Sequence, residues 1–354
     1  MNIASLLVKS AIEHGDRPAL TVHDQVYATY HELGHSVAAM ACSLRYRLGL
    51  KPGERIAIAM SNCPQFYEVL FAAWHAGLVA VPINAKLHAD ECAYIIDNAQ
   101  ARICFASADL MAALAPLPYR LDTLELVIEA GGPEYRALSY QAGLESGEIG
   151  LAHVAPLDPA WLFYTSGTTG RPKGAVLSHR NLLAMTLSYF ADIDRLGPGD
   201  AMLHAAPMSH GSGLYGLPFI AMGGNNVLPA SAHFDPAEIW RLLALHQDVS
   251  LFAAPTMVRR LAQSAALLRP DTRQLKTIIY GGAPMYRADL EQAIDQFGAR
   301  LVQIYGQGES PMTICALGRH HHAARRHPRH AELLASVGYP RTGVEVRVVD
   351  EFGA

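Results

Sequence analysis

Residues 161–182 read WLFYTSGTTGRPKGAVLSHRNL, from Trp161 to Leu182. The run Trp161-Leu162-Phe163-Tyr164 has the apolar, aromatic character of a buried strand. The next ten residues, Thr165 to Gly174, hold three Gly, three Thr, one Ser, one Arg, one Pro and one Lys. A loop of that composition cannot be core. Gly167, Gly170 and Gly174 open backbone conformations closed to other residues, so successive N–H groups can turn inward as an anion-binding nest, with hydroxyls and Lys173 adding donors and charge. The ligand this arrangement suits is a polyphosphate. A Walker A loop is excluded, because its lysine directly follows a glycine and here Pro172 stands between Gly170-Arg171 and Lys173.

The rest of the chain must supply a scaffold for that loop. With 354 residues, 51% of them hydrophobic and 17% charged, the chain can bury a sizeable core, and its length suggests two or three α/β units. The net charge of −4 gives no electrostatic reason to expect nucleic acid or an acidic membrane as partner. One local stretch is basic: Arg319, His320, His321, His322, Arg325, Arg326, His327, Arg329 and His330. It matches no zinc-finger spacing and reads as a solvated surface loop, with a metal or anion site as the alternative. Five cysteines, Cys42, Cys63, Cys92, Cys104 and Cys315, include no C-x-x-C pair, and most lie in apolar runs, as expected of reduced thiols in a cytoplasmic protein. Neither a signal peptide nor an 18-residue apolar span is expected. Peripheral contact with a membrane through a lipophilic substrate stays open.

Apolar spacing gives a first amphipathic helix ending near Gly15, built on Ile3, Leu6, Leu7 and Ala11. Strands and helices then alternate: strand Arg55 to Met60, helix Phe66 to His75, strand Val79 to Ile83, helix Asp90 to Asn98, strand Ile103 to Ala106. This is the rhythm of βαβ units and a mostly parallel sheet. Ala130 to Asp158 is richer in Gly, Pro and Glu and reads as a linker. Beyond the phosphate loop, Ser178 can cap a helix, Met202 to Ala206 and Asn226 to Leu228 are strand-like, and Asp235-Pro236-Ala237-Glu238 has the grammar of a capping box. Strands at 251–254, 277–280 and 301–305 alternate with helices at 256–267 and 287–297. The expected architecture is α/β: two doubly wound, mostly parallel sheets flanked by helices, with part of a small β-barrel near the C-terminus, divided as residues 1–150, residues 151–330 with the phosphate loop, and the start of an incomplete β subdomain over 331–354.

In an open parallel sheet, ligands sit at the carboxyl edge, in the loops after strands. Three further stretches fall there: Ala206-Pro207-Met208-Ser209-His210-Gly211-Ser212-Gly213, Gly281-Gly282-Ala283-Pro284 and Tyr305-Gly306-Gln307-Gly308-Glu309. Together with Thr165 to Gly174, in this order and at this spacing, they resemble the motifs of the adenylate-forming superfamily, which includes acyl-CoA synthetases, luciferases and the adenylation domains of peptide synthetases.

The resemblance implies an ATP-dependent acid–CoA ligase, which joins a carboxylate to the α-phosphorus of ATP, releases pyrophosphate and passes the acyl group to CoA. Catalysis of such an in-line displacement is mostly positioning and charge neutralisation. By the resemblance, Thr165, Ser166, Gly167, Thr168, Thr169, Gly170 and Lys173 hold the β- and γ-phosphates, and Glu309 holds Mg²⁺, a hard cation that favours carboxylate and phosphate oxygens. Gly282, Ala283 and Pro284 form a flat wall for adenine, Tyr305 stacks on its other face, and Gly306, Gln307 and Gly308 complete the nucleotide site. His210 is either a gate or positioner near the acyl carboxylate or a hydrogen-bonded structural residue. Ala254-Pro255-Thr256-Met257 either lines the acyl pocket or belongs to the core.

Two departures from the family pattern stand out. Gly308 occupies a position where relatives have Thr, whose hydroxyl reaches the α-phosphate; loss of a donor aimed at developing charge can cost about 10²- to 10³-fold in rate unless a water or a neighbour substitutes, and Gly308→Thr tests this, since adenylation rises if the hydroxyl is lacking and stays unchanged if it is replaced. The chain also stops at Ala354, before the family's ribose-binding Asp, its hinge and the small C-terminal domain with its lysine. The expectation is therefore a truncated chain with weak ATP binding, little adenylation and no thioester formation. Ser209 to Gly216 contains no acid to pair with a substrate ammonium, and Leu214, Tyr215, Leu217, Phe219, Ile220 and Met222 nearby are apolar. Both features suit a small-molecule fatty or aryl carboxylic acid. A carrier-protein-loading enzyme and a non-catalytic ATP- or AMP-binding protein are the alternatives, and the oligomeric state, a dimer or otherwise, stays open.

Overall fold

The structure, a computed structural model of the chain, describes residues 1–141, 149–165 and 170–352. Its centre is the strand β3 (Arg55–Met60), paired in parallel with β4 (Val79–Asn84) and β5 (Ala101–Ala106). The sequence Arg-Ile-Ala-Ile-Ala-Met explains why this strand lies in the middle. A parallel strand covered on both faces must be apolar on both, and side chains alternate between faces. Ile56, Ile58 and Met60 accordingly face the core shared with the helix Gln65–His75, while Ala57 and Ala59 face the helix Ala89–Asn98. The first of those helices is apolar on nearly every side; Phe66, Phe71 and Trp74 have no exposed surface, and burying one such side chain contributes roughly 2–3 kcal/mol.

Two sheets carry the fold. The six-stranded sheet has the order β6-β5-β3-β4-β7-β8, with β6 at Leu126–Glu129, β7 at Pro159–Thr165 and β8 at Lys173–Ser178. The nine-stranded sheet runs β15-β14-β13-β12-β11-β9-β10-β1-β2. Its members are β1 (Pro18–Val22), β2 (Gln25–Thr29), β9 (Ala201–Leu203), β10 (Asn225–Leu228), β11 (Val249–Ala253), β12 (Leu275–Tyr280), β13 (Leu301–Gln307), β14 (Ser310–Leu317) and β15 (Tyr339–Pro340). The strands from β13 to β1 are parallel, whereas β2, β14 and β15 are antiparallel additions at the edges. The expected two mixed, mostly parallel sheets flanked by helices are therefore what the chain forms.

Several details differ from the sequence reading. The phosphate-loop strands β7 and β8 join the first sheet, through β4, while β1 and β2 from the N-terminal region join the second. Sheet membership thus does not follow the division at residue 150. The hairpin of β1 and β2 and the helix Tyr30–Cys42 were not anticipated, although Thr29 and Glu32 make a complete capping box that signals the helix start. Of the linker expected over Ala130 to Asp158, residues 142–148 lie outside the described residues; the rest includes Tyr135, packed into the core. Asp235 does cap the helix Pro236–Leu245, but Glu238 turns away to accept from the N–H groups of Ala230 and Ser231, so the reciprocal half of the box is missing. Ser178 and Asn181, by contrast, cap the helix His179–Asp192 reciprocally.

No barrel closes among the described residues. The last stretch contributes only the two-residue β15, and Val344, Val346 and Val348 stand exposed without strand partners. The basic stretch is not a solvated loop throughout: it forms the helices Arg319–Ala323 and His330–Leu334, and His322 is fully buried with its Nε2 2.9 Å from the Tyr280 hydroxyl. Burial pushes that imidazole down to about 4. Among the described residues no group of three His, Cys, Asp or Glu side chains could hold a metal ion. No helix among them is long and apolar enough to cross a membrane.

Candidate functional site at the carboxyl edge

In the second sheet the chain leaves β9 for β10 on one side and returns to β11 on the other. Such a reversal of strand order opens a crevice at the carboxyl ends. The loop after β9 carries His210, the loop after β11 carries Ala254, and the loops after β12 and β13 carry Gly281 to Pro284 and Gln307 to Glu309. They surround a cavity of about 340 Å³ lined by Phe163, His210, Phe252, Gly281, Ile304 and Met312 among others, with no carboxylate, lysine or arginine among the described residues of its wall.

The first sheet reaches the same cavity through β7. Phe163 packs edge-on against the His210 ring at 5.4 Å, with Trp161 stacked behind it. At the end of β7, Thr165 lies opposite Lys173 of β8, so the phosphate-type loop is a hairpin connection between antiparallel strands. Gly170 has φ 87°, a conformation that favours glycine. Ser166, Gly167, Thr168 and Thr169 lie outside the described residues. Lys173 and Glu309 are both exposed.

Gly308 is where the two sheets touch. A Cβ built there would lie 2.5 Å from the Thr165 methyl and 3.1 Å from the Phe163 ring. The residue that looked like a missing hydroxyl is therefore also a steric requirement: the turn bearing Glu309 can approach the end of β7 only because position 308 has no side chain. A threonine there has no room unless Thr165 moves.

His210 is the last residue of the β9 loop, immediately before the helix Gly211–Ala221. Its ring is mostly buried, and burial lowers its pKa, so it is neutral at pH 7. Its Nδ1 lies 3.0 Å from the Ser209 hydroxyl. The helix Gly211–Ala221 begins immediately afterwards, and its first turn presses on the loop: a Cβ at Gly213 would fall 1.9 Å from the Met208 carbonyl oxygen.

Other expected members are distributed differently. Gly282, Ala283, Gly306, Gln307 and Gly308 line the cavity, whereas Pro284 and the 43% exposed Tyr305 stand outside its wall. Of the apolar residues after His210, Leu214 lines the cavity, whereas Tyr215, Leu217, Phe219 and Ile220 are buried core outside its wall. Ala254 borders the cavity, while Thr256 and Met257 face a second one of about 730 Å³ that also includes Asn62, Lys86, Ser209, His233 and Arg260. Phe163 and Phe252 were missed as site residues because both read as ordinary strand hydrophobics.

With the fold and cavity in place, the chain can be set beside known proteins. Residues 7–354 match the AMP-binding enzyme family, and the chain belongs to that family. Among curated relatives it is 31% identical over 333 residues to a feruloyl-CoA synthase of Amycolatopsis sp, an alignment covering 94% of this chain and 63% of the relative. It is 28% identical to the fatty acid–[acyl-carrier-protein] ligase ScoC of Streptomyces coeruleorubidus, over 92% of this chain and 61% of that protein. The chain thus spans about three fifths of the length of these relatives. Among solved structures, the N-terminal domain of FACL13 from Mycobacterium tuberculosis superposes with a TM-score of 0.83 at 23% identity, covering 100% of this chain and 85% of that one. That likeness shows the fold.

Proposed function

We propose that this chain carries the adenylation site of an acid–thiol ligase, which activates a fatty or aryl carboxylic acid as its acyl-adenylate, releases pyrophosphate, and then passes the acyl group to CoA. The observation that carries the reading is the convergence at Gly308: the end of the phosphate-type hairpin, the carboxylate-bearing turn and an apolar cavity meet within van der Waals contact.

In this reading Thr165, Ser166, Gly167, Thr168, Thr169, Gly170 and Lys173 hold the β- and γ-phosphates of ATP, and the nucleoside lies along Gly282, Ala283, Gly306 and Gln307, with Pro284 and Tyr305 flanking it. Glu309 is an exposed carboxylate with no acidic partners forming a cage among the described residues. That donor set suits Mg²⁺, which keeps waters and takes other ligands from phosphate, so Glu309 would hold it. His210, neutral and backed by the Ser209 hydroxyl, can hydrogen-bond an oxygen of the acyl carboxylate without adding a charge. The uncharged cavity wall, with no acid among its described residues to receive an ammonium group, favours a carboxylic acid without an α-amine. The relatives that act on feruloyl and fatty acyl groups fit the same substrate class.

The filled position at Gly308 favours one other reading, a protein that binds ATP or AMP without chemistry, because no side-chain hydroxyl is available there. Exchange of labelled pyrophosphate into ATP by a version of the chain that carries the family's small C-terminal domain, scanned over fatty and aryl acids, separates the two. Acid-dependent exchange is the expected result; nucleotide binding with no exchange for any acid in the panel would overturn the ligase reading. Transfer to free CoA or to a phosphopantetheine-bearing carrier protein then distinguishes the acceptors.

A further inference from the structure

The loop bearing His210 is a partition. His210 and Gly211 face the 340 Å³ apolar cavity, whereas Ser209 and Pro207, just before them, face the 730 Å³ cavity, whose mixed wall carries the charged Lys86, Asp109 and Arg260. Met208 and Ala205 are buried in the core on either side of the loop, and its backbone polar groups between the cavities are held by hydrogen bonds. Three of these come from one side chain on the other sheet. Asn62, in the connection after β3, donates from Nδ2 to the carbonyl oxygens of His204 and Ala206, both at 2.9 Å, and accepts at Oδ1 from the Met208 N–H, also at 2.9 Å. Only a primary amide offers two donors and an acceptor in that geometry.

The far end of the partition is held separately. His204 bonds Ser212 through Nδ1 at 2.9 Å and Asn226 through Nε2 at 3.0 Å, and the Tyr67 hydroxyl donates to the Gly213 carbonyl at 2.9 Å. Those groups are fully buried; His204, Ser212 and Asn226 fix the start of the helix to its own sheet, and Tyr67, from the helix after β3, ties it to the first sheet from inside the core. Asn62 is different. It is half-buried, it lines the larger cavity, and it ties the segment just before His210 to the first sheet.

We infer that Asn62 is a positioning residue for the site: it holds the partition, and with it the His210 imidazole, at the height set by the first sheet, so that the two cavities stay separate. This role rests on the ligase reading only for its effect on ligand; the effect on His210 itself does not depend on that reading. Asn62 touches no reacting atom and acts through the Met208 to His210 backbone.

The test uses Asn62→Ala and the near-isosteric Asn62→Asp, which keeps the acceptor for Met208 but turns an oxygen toward two carbonyl oxygens. Two readouts are taken: the His210 imidazole titration by NMR, and affinities for benzoyl- and octanoyl-sulfamoyl adenosine, stable analogues of an acyl-adenylate, compared with ATP. The expected result is that His210 titrates closer to the ordinary imidazole range in both variants. Affinity for the acyl analogues should fall about ten-fold, the equivalent of one lost hydrogen bond, while ATP affinity stays within about two-fold. A purely structural Asn62 would lower the unfolding midpoint and leave the His210 titration and the ratio of affinities unchanged, and that outcome overturns the proposal. If the alanine variant does not fold, the uncharged Asn62→Ser takes its place, because the carboxylate of Asn62→Asp raises the His210 pKa by itself. Hydrogen exchange of the wild-type Met208 amide gives a check without mutation: slow exchange is expected, and exchange at the rate of an open loop overturns the assignment. If the wild-type protein binds neither analogue, the ligase reading fails, and the histidine titration still decides the role of Asn62.

Discussion

Gly308 shows how far one residue can mislead when read only by comparison with its relatives. As a sequence feature it is a lost hydroxyl, and restoring threonine looks like a repair. In the fold it is the space that lets the Glu309 turn close on Thr165 and Phe163. Gly308→Thr is therefore expected to destabilise the protein by about 1–3 kcal/mol, the usual cost of overpacking, and to give no gain in pyrophosphate exchange. Thr165→Ser removes the methyl in the way, so the double variant should recover part of the lost stability, and a double-mutant cycle by urea unfolding measures the coupling. Additive losses would show that the clash is relieved elsewhere. His210 is the opposite case: its position in a motif was visible in the sequence, but its neutral state and its edge-on contact with Phe163 come from burial between two sheets.

At the scale of elements, local signals were reliable where they concerned a single strand or helix. The strand at Arg55–Met60 and the helix at Arg287–Phe297 are as expected, because apolar alternation and helical spacing are properties of short windows. The helix cap at Ser178 was equally legible, and Ser178→Ala should cost roughly 1 kcal/mol in thermal or urea unfolding. Glu238 was not, because a carboxylate three residues after a cap can choose among several N–H donors, and here the loop at Ala230 and Ser231 offers better ones. Arg341 had no sequence signal at all. It is almost fully buried, and its guanidinium bonds Asp192, the Met312 carbonyl and the Ser188 carbonyl, joining β14 to the helix that follows the phosphate-type hairpin. Met312 has φ 62°, an unfavourable conformation for its side chain that the Arg341 contact helps to hold. Arg341→Ala leaves Asp192 without its ion pair and should cost on the order of 3 kcal/mol, with Arg341→Lys a poor rescue because lysine cannot fork between the three oxygens; urea unfolding of both variants checks this.

Across the whole molecule, neutral histidines buried in different places link stability to pH. Burial lowers His204, His179 and His322 to about 4 in the folded protein, against about 6.5 in an unfolded chain. Groups with depressed folded values give stability that is fully present above the unfolded pKa and is lost as pH falls toward the folded one. Chemical unfolding should therefore show a protein that weakens between about pH 6.5 and 5, before most carboxylates begin to protonate; constant stability over that window would contradict the burial of these rings. The sequence by itself determined the alternation of strands and helices, the α/β class, and the four motifs with their order, because each is written in a short window of residues. What only the tertiary structure decided is how the pieces meet: that the phosphate-type hairpin belongs to the first sheet while the other three motifs lie on the second, that Phe163 and Phe252 wall the cavity while Leu217 and Phe219 do not, and that Gly308 is a point of contact. Those outcomes depend on contacts between residues far apart in the chain, such as Ala80 with Trp161 and Thr165 with Gly308. Their physical cause is the packing of two sheet edges against each other, and no local pattern encodes it.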